Sequence, residues 1–396
     1  MPDLVPAAPA RLPGADRSLW KLAPGSIFLN HGSFGARLHT VADAQTAWRD
    51  RFEARPILTL DREIDALLYA AKAPVGAFLG MAPDQFGFVT NASEGVNAVV
   101  RSLRFNPGDE IVTTNHGYGA VLNTLRYEAE RTGATVTIVD IPLPTTPSAV
   151  EHAVIAALSE RTRLVVIDHV TSPTALRFPV EPIIAACRAQ HIPILVDGAH
   201  APGMLDLDVT ALGATFYTGN LHKWISAPPG CAFLHVDPSV ADMIHPMVIS
   251  HYLGEGFARE FAWQGTRDTS AWFAAPDAIS ALGALGGPGG WDAIRAHNHA
   301  LTNHAHAVLR DAWDAPALSP ENGSMLGSIV SLPVPAAVRA RFETPLAFQC
   351  HLFDTHDIEI PIFEWGDDWL IRPSAQLYNH ADEYALLASA VRELTS

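Results

Sequence analysis

Ile194-Leu-Val-Asp-Gly-Ala-His200 is an apolar run that ends on a carboxylate, followed three residues later by a histidine. A near-continuous apolar run of this kind predicts a strand covered on both faces, as in a parallel or mixed sheet. Similar runs rich in Val and Ile alternate with segments of helical period from about residue 60 to residue 240. This alternation is typical of βαβ units, so the sequence predicts an α/β fold with a mostly parallel sheet flanked by helices.

The predicted strands are short apolar runs: Gln85–Thr90, Glu110–Thr114, Thr135–Ile141, Leu164–His169, Ile194–Asp197, Thr215–Thr218 and Cys231–His235. The predicted helices between them place apolar residues three or four positions apart: Gly95–Leu103, Gly119–Arg131, Ala149–Ser159 and Pro182–Gln190. A Gly-rich stretch at 283–290 predicts a domain boundary before a long helix from Trp291 to about Trp313. The remainder predicts a smaller α+β unit, with strands Ser328–Leu332 and Trp369–Arg372 and a last helix Ala381–Glu393.

Composition limits the classes of function. The 396 residues carry 26 Lys and Arg against 42 Asp and Glu, a formal net charge of −16, which argues against a nucleic-acid partner. Apolar residues make up 48% and charged residues 17%, a balance that favours extensive burial over disorder. The sequence has no apolar run long enough for a membrane span, and residues 1–22 lack the pattern of a signal peptide. Three well-separated cysteines, Cys187, Cys231 and Cys350, are interpreted as reduced, buried thiols of a cytoplasmic protein.

Two predicted strands are followed by polar residues at the edge where open α/β sheets bind their ligands. Asp197 and His200 follow one strand, and Lys223 follows the next within Tyr217-Thr-Gly-Asn-Leu-His-Lys-Trp224. An apolar setting disfavours the charged form of lysine, and a neutral amine is the nucleophile of Schiff-base chemistry. Taken singly, Asp197 is as readily a turn cap and Lys223 a lysine that reaches solvent.

The segment Val89-Thr-Asn-Ala-Ser-Glu-Gly95 lies where a predicted strand gives way to a helix. Asn91 and Glu94 have the spacing of a capping box. Free backbone N–H groups at a helix start bind anions, so this segment is a candidate phosphate site. A plain helix cap explains the same residues.

These segments, in this order, resemble the fold-type I pyridoxal-phosphate (PLP) enzymes of the class V aminotransferase family, and most of all its isopenicillin N epimerase-like branch. Four further phrases carry the resemblance: Leu29-Asn-His-Gly-Ser-Phe-Gly35, Asn115-His-Gly-Tyr-Gly-Ala120, Trp263-Gln-Gly-Thr-Arg-Asp268 and Ile371-Arg-Pro-Ser-Ala-Gln-Leu-Tyr-Asn379. The resemblance thus covers nearly the whole chain. It implies a large PLP-binding domain at 41–284 and a small domain built from 1–40 and 285–396.

The resemblance also implies a cofactor site. Lys223 would hold pyridoxal 5'-phosphate as an aldimine and then move the Cα proton through a quinonoid intermediate. Asp197 would face the pyridine nitrogen and keep it protonated, and His200, or alternatively Ser172, would bind the phenolic oxygen. The implied phosphate contacts are Ala92, Ser93, Asn220 and His222, together with Gly265 and Thr266 from the neighbouring subunit of a homodimer.

Further residues are implied around the cofactor ring and the substrate. His116 matches the family position for the ring that stacks on the cofactor, and Tyr118 is the competing choice. Arg372 would clamp the α-carboxylate of an amino-acid substrate, because its planar fork suits bidentate binding. Asn30 and His31 would add substrate contacts.

The resemblance leaves the reaction at Cα open. Our first hypothesis is an isopenicillin N epimerase-like enzyme, which needs an acid opposite Lys223; His31 and Tyr118 are the candidates. The alternative is a carbon–sulfur β-lyase or desulfurase-like enzyme, and a more remote one is a PLP-binding homologue without catalysis. Desulfuration through a persulfide is disfavoured, because Cys350 lies in an apolar-periodic segment and is predicted to be packed.

Two other features are set aside. His297, His299, His304 and His306 include no pair spaced i,i+3 or i,i+4, so they predict a solvated helix rather than a metal site. The glycines at 283–290 do not follow a strand with the spacing of a dinucleotide fingerprint, which argues against a nucleotide-binding oxidoreductase.

Overall fold

A computed structural model describes residues 5–12 and 15–395. Its strands are β1 Ile27–Phe28, β2 Phe86–Val89, β3 Glu110–Thr114, β4 Thr135–Val139, β5 Thr162–Asp168, β6 Ile194–Asp197, β7 Phe216–Asn220, β8 Ala232–Val236, β9 Leu332–Pro333, β10 Ile358–Glu359, β11 Ile362–Trp365 and β12 Asp368–Ile371. Its α-helices are α1 His31–Phe34, α2 His39–Ala54, α3 Ile64–Leu79, α4 Ala92–Ser102, α5 Gly119–Thr132, α6 Pro147–Ala156, α7 Val180–Ala189, α8 Val209–Leu212, α9 Phe257–Ala262, α10 Ser270–Phe273, α11 Ala275–Ala284, α12 Gly290–Trp313, α13 Ala336–Arg339, α14 Pro345–His356 and α15 Ala381–Glu393.

Seven strands form the central sheet in the order β2-β8-β7-β6-β5-β3-β4. The five strands from β7 to β4 pair in parallel, whereas β8 is antiparallel to both of its neighbours. The mostly parallel α/β sheet predicted from the sequence is therefore confirmed. All seven predicted strands are present, and the predicted bounds of β3 and β6 are those observed.

Alternate residues of the central strands explain why the sheet is covered on both faces. Val165 and Ile167 of β5 join one apolar cluster, whereas Leu164 and Val166 join another. In β6, Leu195 belongs to the second of these clusters while its two neighbours belong to the first. Because successive side chains of a strand point to opposite faces, a run without polar residues is buried from both sides.

A smaller unit surrounds a separate apolar cluster. Its three-stranded antiparallel sheet has the order β11-β12-β9, and β1 near the start of the chain pairs in parallel with β10. Helix α12 contributes Ile294 to the core of the large unit, and Leu301 and Leu309 to that of the small one. The N-terminal segment divides its apolar side chains between the two cores, since Trp20 and Leu38 join the large cluster and Leu29 joins the small one, so the small domain of 1–40 and 285–396 stays a prediction.

The strand predicted at Ser328–Leu332 is wrong in extent. The regular pairing covers only β9, while Ile329 makes an isolated bridge to Ser374. The short segment is placed by partners distant in the chain, which local periodicity does not report.

The prediction for Cys350 is also wrong, because this residue is exposed on α14, while Cys187 and Cys231 are buried as predicted. The periodic residues around it bury only Phe348 and Leu352.

The histidine segment differs from its prediction as well. Within α12, His297 and His306 lie on the buried face, so the helix is amphipathic rather than solvated. In the part of the chain that the structure describes, no group of three or more His, Cys, Asp or Glu is arranged to hold a metal. Likewise, none of the described helices is both long and apolar enough to cross a membrane.

Two phenylalanines of α14 provide a matched test of the small core. Phe348 is fully buried and stacks on Phe342 at 5.0 Å between ring centroids, whereas Phe353 is 49% exposed. We expect Phe348→Ala to lower the free energy of unfolding by about 3–5 kcal/mol because it leaves a cavity. Phe353→Ala is expected to change it by about 0.5 kcal/mol or less. Denaturant unfolding followed by circular dichroism measures both, and equal losses would contradict the assigned core.

Candidate active site

A cavity of about 360 Å³ opens at the carboxyl ends of β5, β6 and β7. Its wall is completed by the start of α4, by the residue before α5, and by Ser33 and Phe34 from the N-terminal segment. Open α/β sheets bind ligands at this edge, because their strands deliver polar side chains there from different parts of the chain.

Lys223 follows β7 and points its amine at His200, with 3.1 Å between Nζ and the Nε2 atom of the imidazole. Burial, reinforced by the positive charge of Arg372, lowers the pKa of Lys223 to about 7, although Asp197 and Asp168 act in the opposite direction. Burial and the nearby Lys223 hold the pKa of His200 well below its usual range. The pair is therefore a neutral imidazole beside an amine that is partly uncharged at neutral pH.

Asp197 and Asp168 end β6 and β5 and are register partners across the two strands. Burial raises the pKa of Asp197, and the backbone N–H of Ala199, which donates to its Oδ1 at 2.9 Å, partly offsets this. Burial and the negative charge of Asp197 raise the pKa of Asp168 well above its usual range.

Asp168 is a cavity residue that the sequence analysis missed. The signal was present, because Leu164-Val-Val-Ile-Asp168 repeats the pattern of Ile194-Leu-Val-Asp197: an apolar run that ends on a carboxylate.

The start of α4 forms one wall of the cavity. The side chain of Asn91 accepts from the backbone N–H of Glu94 at 2.9 Å, as a capping box requires. The reciprocal bond is shifted by one residue, since the Glu94 carboxylate accepts from the backbone N–H of Thr90 at 2.7 Å. Asn220 Oδ1 accepts from the backbone N–H of Ala92 at 2.8 Å, which ties β7 to the helix start.

Ser93 and His222 also line this wall. The His222 ring lies 3.2 Å from the carbonyl oxygen of Cys231, measured from Nδ1. The helix start, with its partial positive charge, and the two polar side chains form a concave surface suited to an anion.

His31 does not face the cavity, contrary to its predicted roles as an acid and a substrate contact. It is fully buried, with Nε2 3.0 Å from the Lys223 carbonyl oxygen and Nδ1 2.9 Å from the Tyr378 hydroxyl. Burial lowers the pKa of His31 to about 3. Asn30 is likewise turned to its own segment, where its Oδ1 accepts from the Ser33 hydroxyl. We therefore assign His31 to holding the lysine loop in place.

Gly35 shows how closely the N-terminal segment packs on that loop. Its φ is +73°, and a Cβ there would collide with the carbonyl oxygen of His222. Glycine is required at this position for both reasons.

The structure separates the two candidates for the aromatic ring. His116 is fully buried and lies outside the cavity wall, with Nδ1 2.7 Å from the Thr174 hydroxyl and Nε2 2.9 Å from the Ile141 carbonyl. Its predicted stacking role is not supported by this placement. Tyr118 lines the cavity and is 46% exposed. Tyr118 directly precedes the first residue of α5, so this helix begins at the cavity wall.

Arg372 lies behind the cavity wall and is only 2% exposed. Its Nη1 donates to the carbonyl oxygen of Ser172 at 2.6 Å and to the hydroxyl at 3.0 Å, and its Nη2 donates to Ser33 at 3.3 Å. Burial lowers the pKa of Arg372 to about 10. Among the described residues no carboxylate lies within ion-pair distance, so this buried cation has only neutral partners.

Gly265 and Thr266 lie between α9 and α10, outside the cavity of their own chain. Thr266 is exposed. The next residue, Arg267, lies 3.9 Å from Glu94 at the start of α4. The single chain therefore leaves both predicted residues outside the site.

Comparison with known proteins identifies relatives of similar length. Residues 41–349 match the family described as aminotransferase class-V. Isopenicillin N epimerase of Streptomyces clavuligerus is 32% identical over 391 residues, which cover 94% of this chain and 96% of that protein. A putative L-cysteine desulfhydrase 1 of Oryza sativa subsp. japonica is 31% identical over 410 residues, covering 94% and 84%.

Among solved structures, the apo form of a cysteine desulfurase from Thermococcus onnurineus NA1 shares the fold, with a TM-score of 0.81. The two chains are 20% identical, and the match covers 98% of this chain and 99% of the other. The predicted fold-type I architecture is confirmed by this similarity.

The environment of Lys223 generates a prediction about its titration. In protein freed of any bound cofactor, acylation of Lys223 is expected to rise with pH to a midpoint near 7, because burial disfavours the ammonium form. Arg372→Met should raise that midpoint, since it removes a positive charge that disfavours protonation. Peptide mass spectrometry resolves the sites, because the chain has only three lysines, Lys21, Lys72 and Lys223.

Arg339→Met is the matched control, since Arg339 pairs with Asp368 at the surface, outside the cavity. A Lys223 midpoint that stays near 10 in the wild-type protein would contradict the assigned environment.

Proposed function

This chain belongs to the aminotransferase class-V family of PLP-dependent enzymes, and we propose that it transfers a proton at Cα of an amino-acid substrate, as an epimerase. One observation carries the proposal: the Lys223 amine and the Tyr118 phenol line the same cavity, so two groups able to hold a proton border one space. Its relatives include both epimerases and desulfhydrases, which fits chemistry that begins with removal of the proton at Cα.

The residues of the cavity fit pyridoxal 5'-phosphate. The α4 start with Ala92 and Ser93 suits the phosphate, and Asn220 and His222 border the same wall. Asp197 is the carboxylate suited to the pyridine nitrogen, and Lys223 is the amine suited to the aldehyde. When bound, this cofactor withdraws the electron pair left at Cα when the proton is removed.

Lys223 is the proposed base. An amine with a pKa near 7 is substantially uncharged at neutral pH, and once protonated it can return the proton. His200 remains neutral beside it and so adds no positive charge. The His31 ring, whose Nε2 lies 3.0 Å from the Lys223 carbonyl oxygen, holds the segment that carries the amine.

Arg372 and Ser172 are proposed to recognise the substrate carboxylate. A buried guanidinium with only neutral partners favours an anion in its vicinity, and a planar carboxylate matches its fork. Ser172 and Ser33 line the cavity and both accept hydrogen bonds from Arg372, which places the guanidinium next to the cavity wall.

Tyr118 is proposed both as the aromatic side chain against the cofactor ring and as the acid opposite Lys223. His116 and His31, the other residues considered for these roles, are both buried in hydrogen bonds outside the cavity. Tyr118 is therefore the residue on which epimerisation depends.

The second candidate function is β-elimination from a substrate with sulfur at Cβ. It is favoured by the position of His31, because a lyase needs only Lys223 and no second acid. Persulfide chemistry is not proposed: Cys350 is exposed on α14, and the cavity wall does not include it.

We further propose a cytoplasmic homodimer in which Gly265 and Thr266 reach the phosphate site of the neighbouring subunit. The exposure of Thr266, and the position of both residues outside their own cavity, support this arrangement.

Lys223→Ala tests the proposed function as a whole. The purified wild-type protein is expected to absorb visible light through its lysine-bound cofactor, and the variant is expected to lose this band and at least 10³-fold of the activity, on the order of a removed base and nucleophile. Lys72→Ala is the control, since Lys72 lies outside the cavity. A wild-type protein without the visible band after incubation with the cofactor would sink the proposal.

Tyr118→Phe separates epimerase from lyase. Incubation of L-amino acids in D₂O is expected to give exchange at Cα in both proteins, but inversion only in the wild type, because the variant lacks the second proton donor. Tyr127→Phe, an exposed residue of α5, is the matched control. Chiral chromatography, keto-acid and sulfide assays follow the products; pyruvate and sulfide with retained chirality would establish the lyase instead.

A further inference from the structure

A second cavity, of about 310 Å³, lies between α3, β2 and α9. None of the described residues that line it also lines the candidate active site. Its walls include Leu68, Phe88, Phe261 and Trp272, each at most 5% exposed. A concave space of this size with mainly apolar and aromatic walls and a few polar groups is typical of a site for a small molecule.

The aromatic wall of the second cavity is held in place by the protein itself. The Trp272 ring stacks on Phe88, with 5.4 Å between the ring centroids and an angle of 19° between the planes. Its Nε1 donates to the carbonyl oxygen of Gly230 at 3.0 Å, and the Arg267 guanidinium lies 4.5 Å from the ring centroid. Because this wall exists before any ligand arrives, binding there does not require the ordering of a side chain.

Lys72 of α3 brings a positive charge to these apolar walls. Its Nζ lies 4.9 Å from the centroid of the Phe86 ring. No carboxylate in the described stretches 5–12 and 15–395 lies within ion-pair distance of this amine. Burial lowers the pKa of Lys72 to about 8, with Asp84 acting in the opposite direction, so the amine is mostly charged at pH 7. A cation that is partly removed from water without a counter-ion favours an anion beside it.

The other charged residues that border the second cavity leave this position open. Arg259 pairs with Asp65 and also lies 3.5 Å from Glu255, so its charge is already compensated. Asp84 is exposed and acts on Lys72 only from beyond ion-pair distance. Lys72 is therefore the charged group of this cavity that is suited to a counter-ion from solution.

We propose that the second cavity binds an apolar monocarboxylate, with the carboxylate on the Lys72 amine and the hydrocarbon body against Phe88 and Trp272. One carboxylate matches one amine without a counter-ion, and a hydrocarbon body matches the apolar walls. An uncharged apolar molecule would leave the lysine without a counter-ion. An anion of higher charge would be repelled by the exposed carboxylates of Asp65 and Asp84 nearby. This inference does not depend on the proposed function.

Titration calorimetry of the full-length protein with octanoate at pH 7 tests the proposal. The wild-type protein is expected to bind one octanoate per chain, and Lys72→Met is expected to weaken binding about tenfold or more, because a charge-assisted hydrogen bond is lost. Lys21→Met is the matched control, since Lys21 is exposed and outside the second cavity, and it should keep the wild-type affinity.

A series of ligands on the wild-type protein makes the test independent of how any variant folds. Octanol and octylamine share the hydrocarbon body but carry no negative charge, so both are expected to bind about tenfold more weakly than octanoate or worse. Butanoate keeps the charge and should lose roughly fourfold in affinity for each methylene removed, because less apolar surface is buried.

The pH dependence of octanoate binding identifies the amine. The charged groups that border the cavity with Lys72 are Asp65 on α3, Asp84 before β2 and Arg259 on α9. Bound octanoate favours the protonated lysine, so its affinity should be full below about pH 8 and should fall as the pH rises above that value. Lys72→Met is expected to abolish this fall.

Three results would overturn the proposal. The first is a wild-type protein that binds no octanoate, as expected if a second copy of the chain covers the mouth of the cavity. The second is equal affinity for octanoate and octanol. The third is binding that is unchanged in Lys72→Met but lost in Arg372→Met, which would place the acid in the candidate active site instead.

Discussion

The parallel register of β5 and β6, followed by the lysine after β7, places two acids and one amine in a single buried volume. Two unit charges about 5 Å apart interact by about 3 kcal/mol at an effective dielectric constant near 20, which equals roughly two pKa units. The proton affinities of Asp168, Asp197 and Lys223 are therefore mutually dependent. Burial disfavours the charged form of each group, and the opposite charges of the carboxylates and the amine offset part of that effect.

Much of the secondary structure of the large unit is predicted by the local pattern of apolar residues. The strands β3 and β6 and the last helix α15 have the bounds predicted from the sequence, since each combines an apolar period with clear boundary residues. The two-residue strands β1, β9 and β10 are too short to show a period, and each depends on a partner outside its own stretch of sequence: β1 and β10 pair with each other, and β9 pairs with β12. A local sequence pattern cannot predict pairing with a strand that lies elsewhere in the chain.

The same difference between local and distant determinants explains which site residues were predicted correctly. Asp197, Lys223 and the α4 start were predicted because each is a polar group at the end of a buried element, and the structure brings them to one cavity. Whether a histidine faces the cavity or the wall behind it is decided by distant groups such as Tyr378 and Thr174, so the orientations of His31 and His116 did not follow from their motifs. The exposure of Cys350 likewise depends on which side of α14 the small core covers.

His31 joins three separated parts of the chain: its own segment, the lysine loop and the segment of Tyr378. The backbone N–H of His31 also donates to Ser374 at 2.8 Å. During synthesis on the ribosome, His31 and Lys223 are made before Ser374 and Tyr378. The contact from His31 to the lysine loop can therefore form first. The contacts that hold His31 itself, to Ser374 and Tyr378, form only after these later residues have been made, so the complete fixation of the lysine loop is a late event in folding.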